Sequence, residues 1–192
     1  MKNHLSILLL LALLLTFAAP LAAQDDGSAP RIPEGPGFAV GTFDNGRAYS
    51  LAQTFSLRYS GTFDGAIVAF GEPSGAPVGE MQWELRRWWP GCGIMGRLIA
   101  DGSFEPAPLH YNSIVVHADL AAGSYALVLR AAEEQKRGAY WTIIASSGER
   151  DVYAGGELLQ MEQGGPWAAW DGQDVIGELA LVGPDTLFVE LH

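Results

Sequence analysis

Met81-Gln82-Trp83-Glu84-Leu85-Arg86 is the stretch whose reading decides the fold. Met81, Trp83 and Leu85 share one parity, and Gln82, Glu84 and Arg86 share the other. Period-two alternation is the pattern of a strand with one face packed and the other in water. Outward from it the same signal recurs: Tyr125, Leu127 and Leu129 share parity, as do Leu179 and Leu181. Short apolar runs punctuated by Gly, Pro, Asp and Asn mark further strands at 51–59, 65–70, 79–88, 94–100, 112–120, 124–131, 139–145, 156–162, 175–182 and 186–191. No segment holds helical periodicity beyond about two turns. The best helical candidate, 131–137, is short, charged on every side and closed by Gly138, so it reads as a hairpin loop. About ten strands with turns between them predict an all-β chain, a single antiparallel β-sandwich or barrel. A parallel sheet would need crossover helices, and the pattern offers none.

The N-terminus predicts export. Lys2 and His4 precede an apolar run from Leu5 to Phe17, followed by Pro20, Ala22, Ala23 and the polar Gln24-Asp25-Asp26. That order matches a secretory signal peptide over 1–23, with cleavage after Ala23. The alternative is an uncleaved anchor, since the apolar stretch is just long enough to span a bilayer. Residues 24–37, with Gly27, Pro30, Pro33, Gly35 and Pro36, read as a flexible leader, and 38–192 as the domain. The expected location is secreted, periplasmic or on the cell surface.

Without 1–23 the chain has 169 residues, enough for a real core. Ten Lys and Arg then face 22 Asp and Glu, a net charge near −12. Such a surface repels phosphate backbones, so nucleic acid is not an expected partner. Cys92 is the single cysteine, which excludes a disulfide framework. Its Pro90-Gly91-Cys92-Gly93 setting leaves two readings, buried and inert or exposed and able to couple two chains; the inert one is favoured.

Chemistry-bearing constellations are sparse. Ser103, Ser146 and Ser147 lack a Gly-x-Ser-x-Gly elbow, and Cys92 has no histidine near it in sequence. His110 and His117 are seven apart, so on one regular strand they point to opposite faces and share no metal. No catalytic residues are assigned, although paired carboxylates of a small hydrolase stay open in a chain with 22 acids.

Aromatics give the sharper signal. Trp88 has the parity of Gln82, Glu84 and Arg86, opposite the core face. Trp167 and Trp170 lie in the turn-rich Gly164-Gly165-Pro166-Trp167-Ala168-Ala169-Trp170-Asp171-Gly172. Flat indole faces beside charged and amide groups suit sugar recognition: the ring stacks while polar groups read hydroxyls. The candidate ligand-binding set is therefore Trp88, Trp167, Trp170, Arg86 and Asp171. The alternative for each indole is that it folds back over the end of the sandwich to plug the core, as Trp83 and Trp141 are expected to do.

Several motifs occur in order: Leu51-Ala52-Gln53-Thr54-Phe55, Leu120-Ala121-Ala122-Gly123-Ser124-Tyr125-Ala126-Leu127, Tyr153-Ala154-Gly155-Gly156, and Gly165-Pro166-Trp167 with Asp171 and Asp174. Across about residues 50–182 the chain resembles the jelly-roll β-sandwich modules of bacterial secreted and surface proteins, which are similar to carbohydrate-binding and adhesin-type domains. The resemblance implies a jelly-roll-like sandwich and a non-catalytic binding role, with polysaccharide or surface glycan as partner. It also implies a structural calcium, for which Asp171 and Asp174, with Glu178, or Asp151, would supply hard oxygens. No other cofactor is expected. The reading of 38–192 as one domain predicts a departure from such modules, a domain with no attached catalytic module. A surface or assembly subunit that binds another extracellular protein is the alternative.

Overall fold

The computed structural model describes residues 35–90, 92–145 and 156–170, together with the backbone of two further strands at 177–182 and 189–190. Every element it forms is a strand: β1 Gly37–Thr42, β2 Ala48–Leu57, β3 Gly61–Ala69, β4 Met81–Trp89, β5 Ile94–Phe104, β6 Tyr111–Leu120, β7 Gly123–Ala131, β8 Ala139–Ile144, β9 Leu158–Glu162, β10 Trp167–Trp170, β11 Gly177–Val182 and β12 Val189–Glu190. The larger sheet runs β10-β9-β2-β7-β4-β5, with β1 leaving β2 to pair with β8; the smaller runs β12-β11-β3-β6. All pairings are antiparallel.

Alternation places the core. Met81, Trp83 and Leu85 of β4, Leu51 and Phe55 of β2, and Tyr125, Leu127 and Leu129 of β7 are all buried. They join Phe63, Ala66 and Val68 of β3 and Ile114 of β6 in one cluster, so both sheets contribute to a single core. Phe55 lies between Phe63, at 5.1 Å between ring centroids, and Tyr125, at 5.6 Å. Each such fully buried side chain contributes about 1.5–3 kcal/mol. The architecture is all-β and antiparallel, in keeping with a β-sandwich.

Among the described residues twelve strands form, where about ten are expected from sequence. The two extra ones, β1 and β10, are revealed by their pairing: β1 by the far-off β8, and β10 by its neighbour β9 across a short turn. β1 pairs along its whole length with β8, from Gly37↔Ile144 to Thr42↔Ala139, and β10 pairs with β9. Phe38, Val40 and Thr42 of β1 and the tryptophans of β10 favour strand, but glycines and prolines around both short segments read as turns and hide that signal. Gly37, the last residue of the expected leader, already belongs to β1. Residues 1–34, and so the signal segment and most of that leader, lie outside the described residues.

β5 also runs four residues past its expected end at Ala100. Asp101-Gly102-Ser103 looks like a turn, yet Gly102 stays in the ladder opposite Trp83. A Cβ at Gly102 would sit 2.7 Å from the Trp83 indole, so glycine makes room for the ring. The segment 132–138 is non-helical, as its composition indicates, but it is not the expected hairpin loop: β7 pairs with β2 and β4 while β8 pairs with β1.

Candidate functional site

The outer face of the larger sheet carries the chemistry. Strand register aligns Gln82 with Arg130, Glu84 with Val128, and Arg86 with Ala126 across β4 and β7. On β2, Ala52 sits opposite Val128 and Thr54 opposite Ala126; on β9, Leu159 sits opposite Ala52. Ala52, Ala126, Val128, Leu159 and Trp88 form a second, smaller apolar cluster, with Met95 and Trp167 packed against it. Small residues in mid-sheet let the large rings lie down over them.

A charged network borders this cluster. The Glu84 carboxylate accepts from Arg86 Nε and pairs with Arg130. Arg86 also donates to the Gly96 carbonyl at 3.1 Å, tying the bulged part of β5 to β4. Glu84 is buried, and two guanidiniums offset the cost of desolvating its charge.

Beside the network lies a groove of about 440 Å³, a volume in the range of small-ligand sites. It opens where β1 parts from β2, and the 131–135 connection walls its far side. Its polar lining includes Tyr49, Ser50, Arg130, Glu133, Glu134 and Gln163, and Met161 lines it too. Arg47, on the hairpin beside it, ion-pairs with Glu162 at 2.9 Å. The Tyr49 hydroxyl and then the Glu162 carboxylate hold the Arg47 guanidinium above its ordinary range. The wall is fixed by Gln135, whose amide donates to the carbonyls of Val78 and Glu133 and accepts from Val78 N–H.

Trp167 belongs to this face. It pairs with Met161, which pairs in turn with Ser50, and directly opposed residues in an antiparallel ladder share a face. Its backbone therefore stands about 5 Å, one strand spacing, from Met161, a residue of the groove lining. The indole is partly buried against Leu159 and its neighbours.

The other sequence candidates fall differently. Trp88 is on the non-core face, as its parity indicates, but only 6% exposed, so it offers no open stacking surface. The cause is its neighbours: Ala52 and Ala126 are small enough to let the ring pack against the sheet, where Val128, Leu159, Met95 and Trp167 cover it. Trp170 sits three residues from Trp167 on one strand, which turns it to the opposite face. There it packs edge-to-face on Phe38, with centroids 5.1 Å apart, and stays 47% exposed. Trp167 and Trp170 thus form no shared platform, because their segment is a strand and not the expected loop. Arg86 is held by Glu84 and Gly96. Asp171, Asp174 and Asp151 lie outside the described residues, as does the side chain of Glu178. Among the described residues no group of three or more His, Cys, Asp or Glu could hold a metal ion.

Cys92 is exposed, against the favoured buried reading. Its N–H and that of Gly93 both donate to the Trp89 carbonyl, so the β4–β5 turn projects the thiol outward. His110 precedes β6 and contacts the Pro108 carbonyl, whereas His117 lies on a β-bulge with φ of 54° and contacts Asp64 at 2.8 Å. The bulge voids the parity argument between the two histidines, yet each has its own separate partner.

Tyr49, Ser50, Arg130, Glu133, Glu134 and Gln163 carry no sequence signature, since the groove gathers them from β2, β7, the 131–135 connection and the end of β9. The adjacent pair Glu133-Glu134, in a segment already read as a loop, is the one signal that could have pointed there. Compared with known proteins, the chain matches no family model, no curated protein and no solved structure.

Proposed function

We infer that this protein is an exported, non-catalytic binding module whose ligand is a carbohydrate, held on the outer face of the larger sheet. One observation carries the reading: a partly exposed tryptophan, Trp167, shares its face and strand register with a groove lined by carboxylates, amides, hydroxyls and an arginine. An indole beside such groups is what a pyranose needs, an apolar face to stack on and acceptors for its hydroxyls. The sequence resemblance to carbohydrate-binding and adhesin-type modules supports the same reading.

The test is retention of the exported protein on insoluble polysaccharides, with Trp167→Ala beside the wild type. Loss of the stacking ring should weaken retention roughly ten-fold or more, about 1–2 kcal/mol, while the melting temperature stays close to wild type. A Trp167→Ala protein retained as well as wild type would remove the groove face from the binding role.

A second reading, adhesion to another protein, draws on the smaller sheet. Its β6 presents Tyr111 and Val115 to solvent, the latter 76% exposed, with Leu109 exposed just before the strand. Val115→Asp should then abolish capture of the protein partner and leave polysaccharide retention unchanged.

A further inference from the structure

We propose that the groove selects by charge: it takes uncharged glycan and rejects glycan bearing carboxylate or sulfate groups, with Glu133 and Glu134 as the specificity-determining residues. This rests on the carbohydrate reading above and names its ligand class. The groove lining holds one cation and two carboxylates. The cation, Arg130, is already engaged by buried Glu84. At the mouth, Arg47 is engaged by Glu162, and Arg137, not itself in the lining, lies behind the lining residue Gly46. Among the described residues neither Glu133 nor Glu134 makes an ion pair.

The hydroxyls and the Gln163 amide of the lining can donate or accept, so the charge left for a ligand to meet there is that of Glu133 and Glu134. Carboxylates accept well from vicinal hydroxyls, through charge-assisted hydrogen bonds. The same carboxylates face an anionic glycan with like charge at close range, and like-charge juxtaposition is a strong rejecting element. Gln135 adds nothing against this, because its amide is spent on Val78 and Glu133 backbone groups.

The experiment uses the exported protein on columns of amorphous cellulose, chitin, alginate and heparin at low ionic strength. Wild type should be retained on at least one uncharged matrix and pass through alginate and heparin. Glu133→Gln with Glu134→Gln should shift the ratio of uncharged to anionic retention toward the anionic by roughly ten-fold or more. Glu72→Gln with Glu105→Gln changes net charge equally at exposed positions outside the groove and should leave that ratio in place. Wild-type retention on alginate or heparin, or an equal shift from the control pair, would overturn the selectivity and leave the carbohydrate reading standing. Passage through all four columns by every variant would overturn both.

Discussion

The Tyr125 hydroxyl donates to the Ala121 carbonyl, four residues back across the turn that leads into β7. Leu120 and Tyr125 are both in the core, and Gly123 between them has φ of +142°, a conformation open to glycine. A tyrosine bonding back to backbone at such a corner is a hallmark of antiparallel sandwiches with Greek-key connections. The guanidinium of Arg87 lies 4.5 Å from the centre of the same ring. Tyr125→Phe keeps the packing and loses only the hydroxyl bond. Its expected cost is about 1 kcal/mol, read as a lowered midpoint in denaturant.

That tyrosine also predicts an alkaline limit. Burial pushes the Tyr125 phenol above its ordinary 10.0, an effect the Arg87 charge partly opposes. The folded state thus holds a proton that the unfolded chain releases sooner. Its contribution is fully present below pH 10 and is lost as pH rises through the folded value. Thermal melts from pH 8 to pH 11 should show wild type losing stability at the top of the range more steeply than Tyr125→Phe. Parallel curves would remove Tyr125 as the cause.

Trp88 and Trp167 should separate in one melt. Trp88→Ala empties a packed site between Ala126 and Val128 and should cost about 3–5 kcal/mol. Trp167 lies at the edge of the same cluster and is only partly buried, so its truncation should leave the melting temperature much closer to wild type. Equal losses from the two would show that Trp167 is structural.

Gln135 is buried, with three hydrogen bonds to backbone of Val78 and Glu133. Gln135→Leu would leave the Val78 N–H and carbonyl unpaired, at a cost of about 1–3 kcal/mol. Hydrogen exchange should then quicken at Val78 and along 131–135 before it does in β4 or β7.

Cys92 should react with a thiol reagent in the folded state at close to the rate of the denatured chain, since the β4–β5 turn leaves it exposed. Cys92→Ser should not change the melting temperature. A protected thiol would return the residue to the buried class.

Alternation along Met81–Arg86, and the shared parity of Tyr125, Leu127 and Leu129, were enough to put the right residues in the core. A strand's two faces follow from backbone geometry alone, and one face must leave water. The side of β4 that carries Trp88 was legible for the same reason. Its burial was not, because that depends on Ala126 and Val128, which β7 brings alongside from some forty positions away. β1 and β10 escaped the pattern because glycines and prolines around both short segments read as turns, and pairing with β8 and β9 is what reveals them. Once β10 is a strand, a spacing of three decides that Trp167 and Trp170 part to opposite faces. The groove lay furthest from view. Tyr49, Arg130, Glu133, Glu134 and Gln163 become neighbours only where β1 leaves β2 and the 131–135 connection folds against the end of β9. The sequence by itself determined strands, faces and core, which are local consequences of alternation. Tertiary structure alone decided which polar groups converge, because that depends on strand order and register, and these are set by contacts distant in the chain.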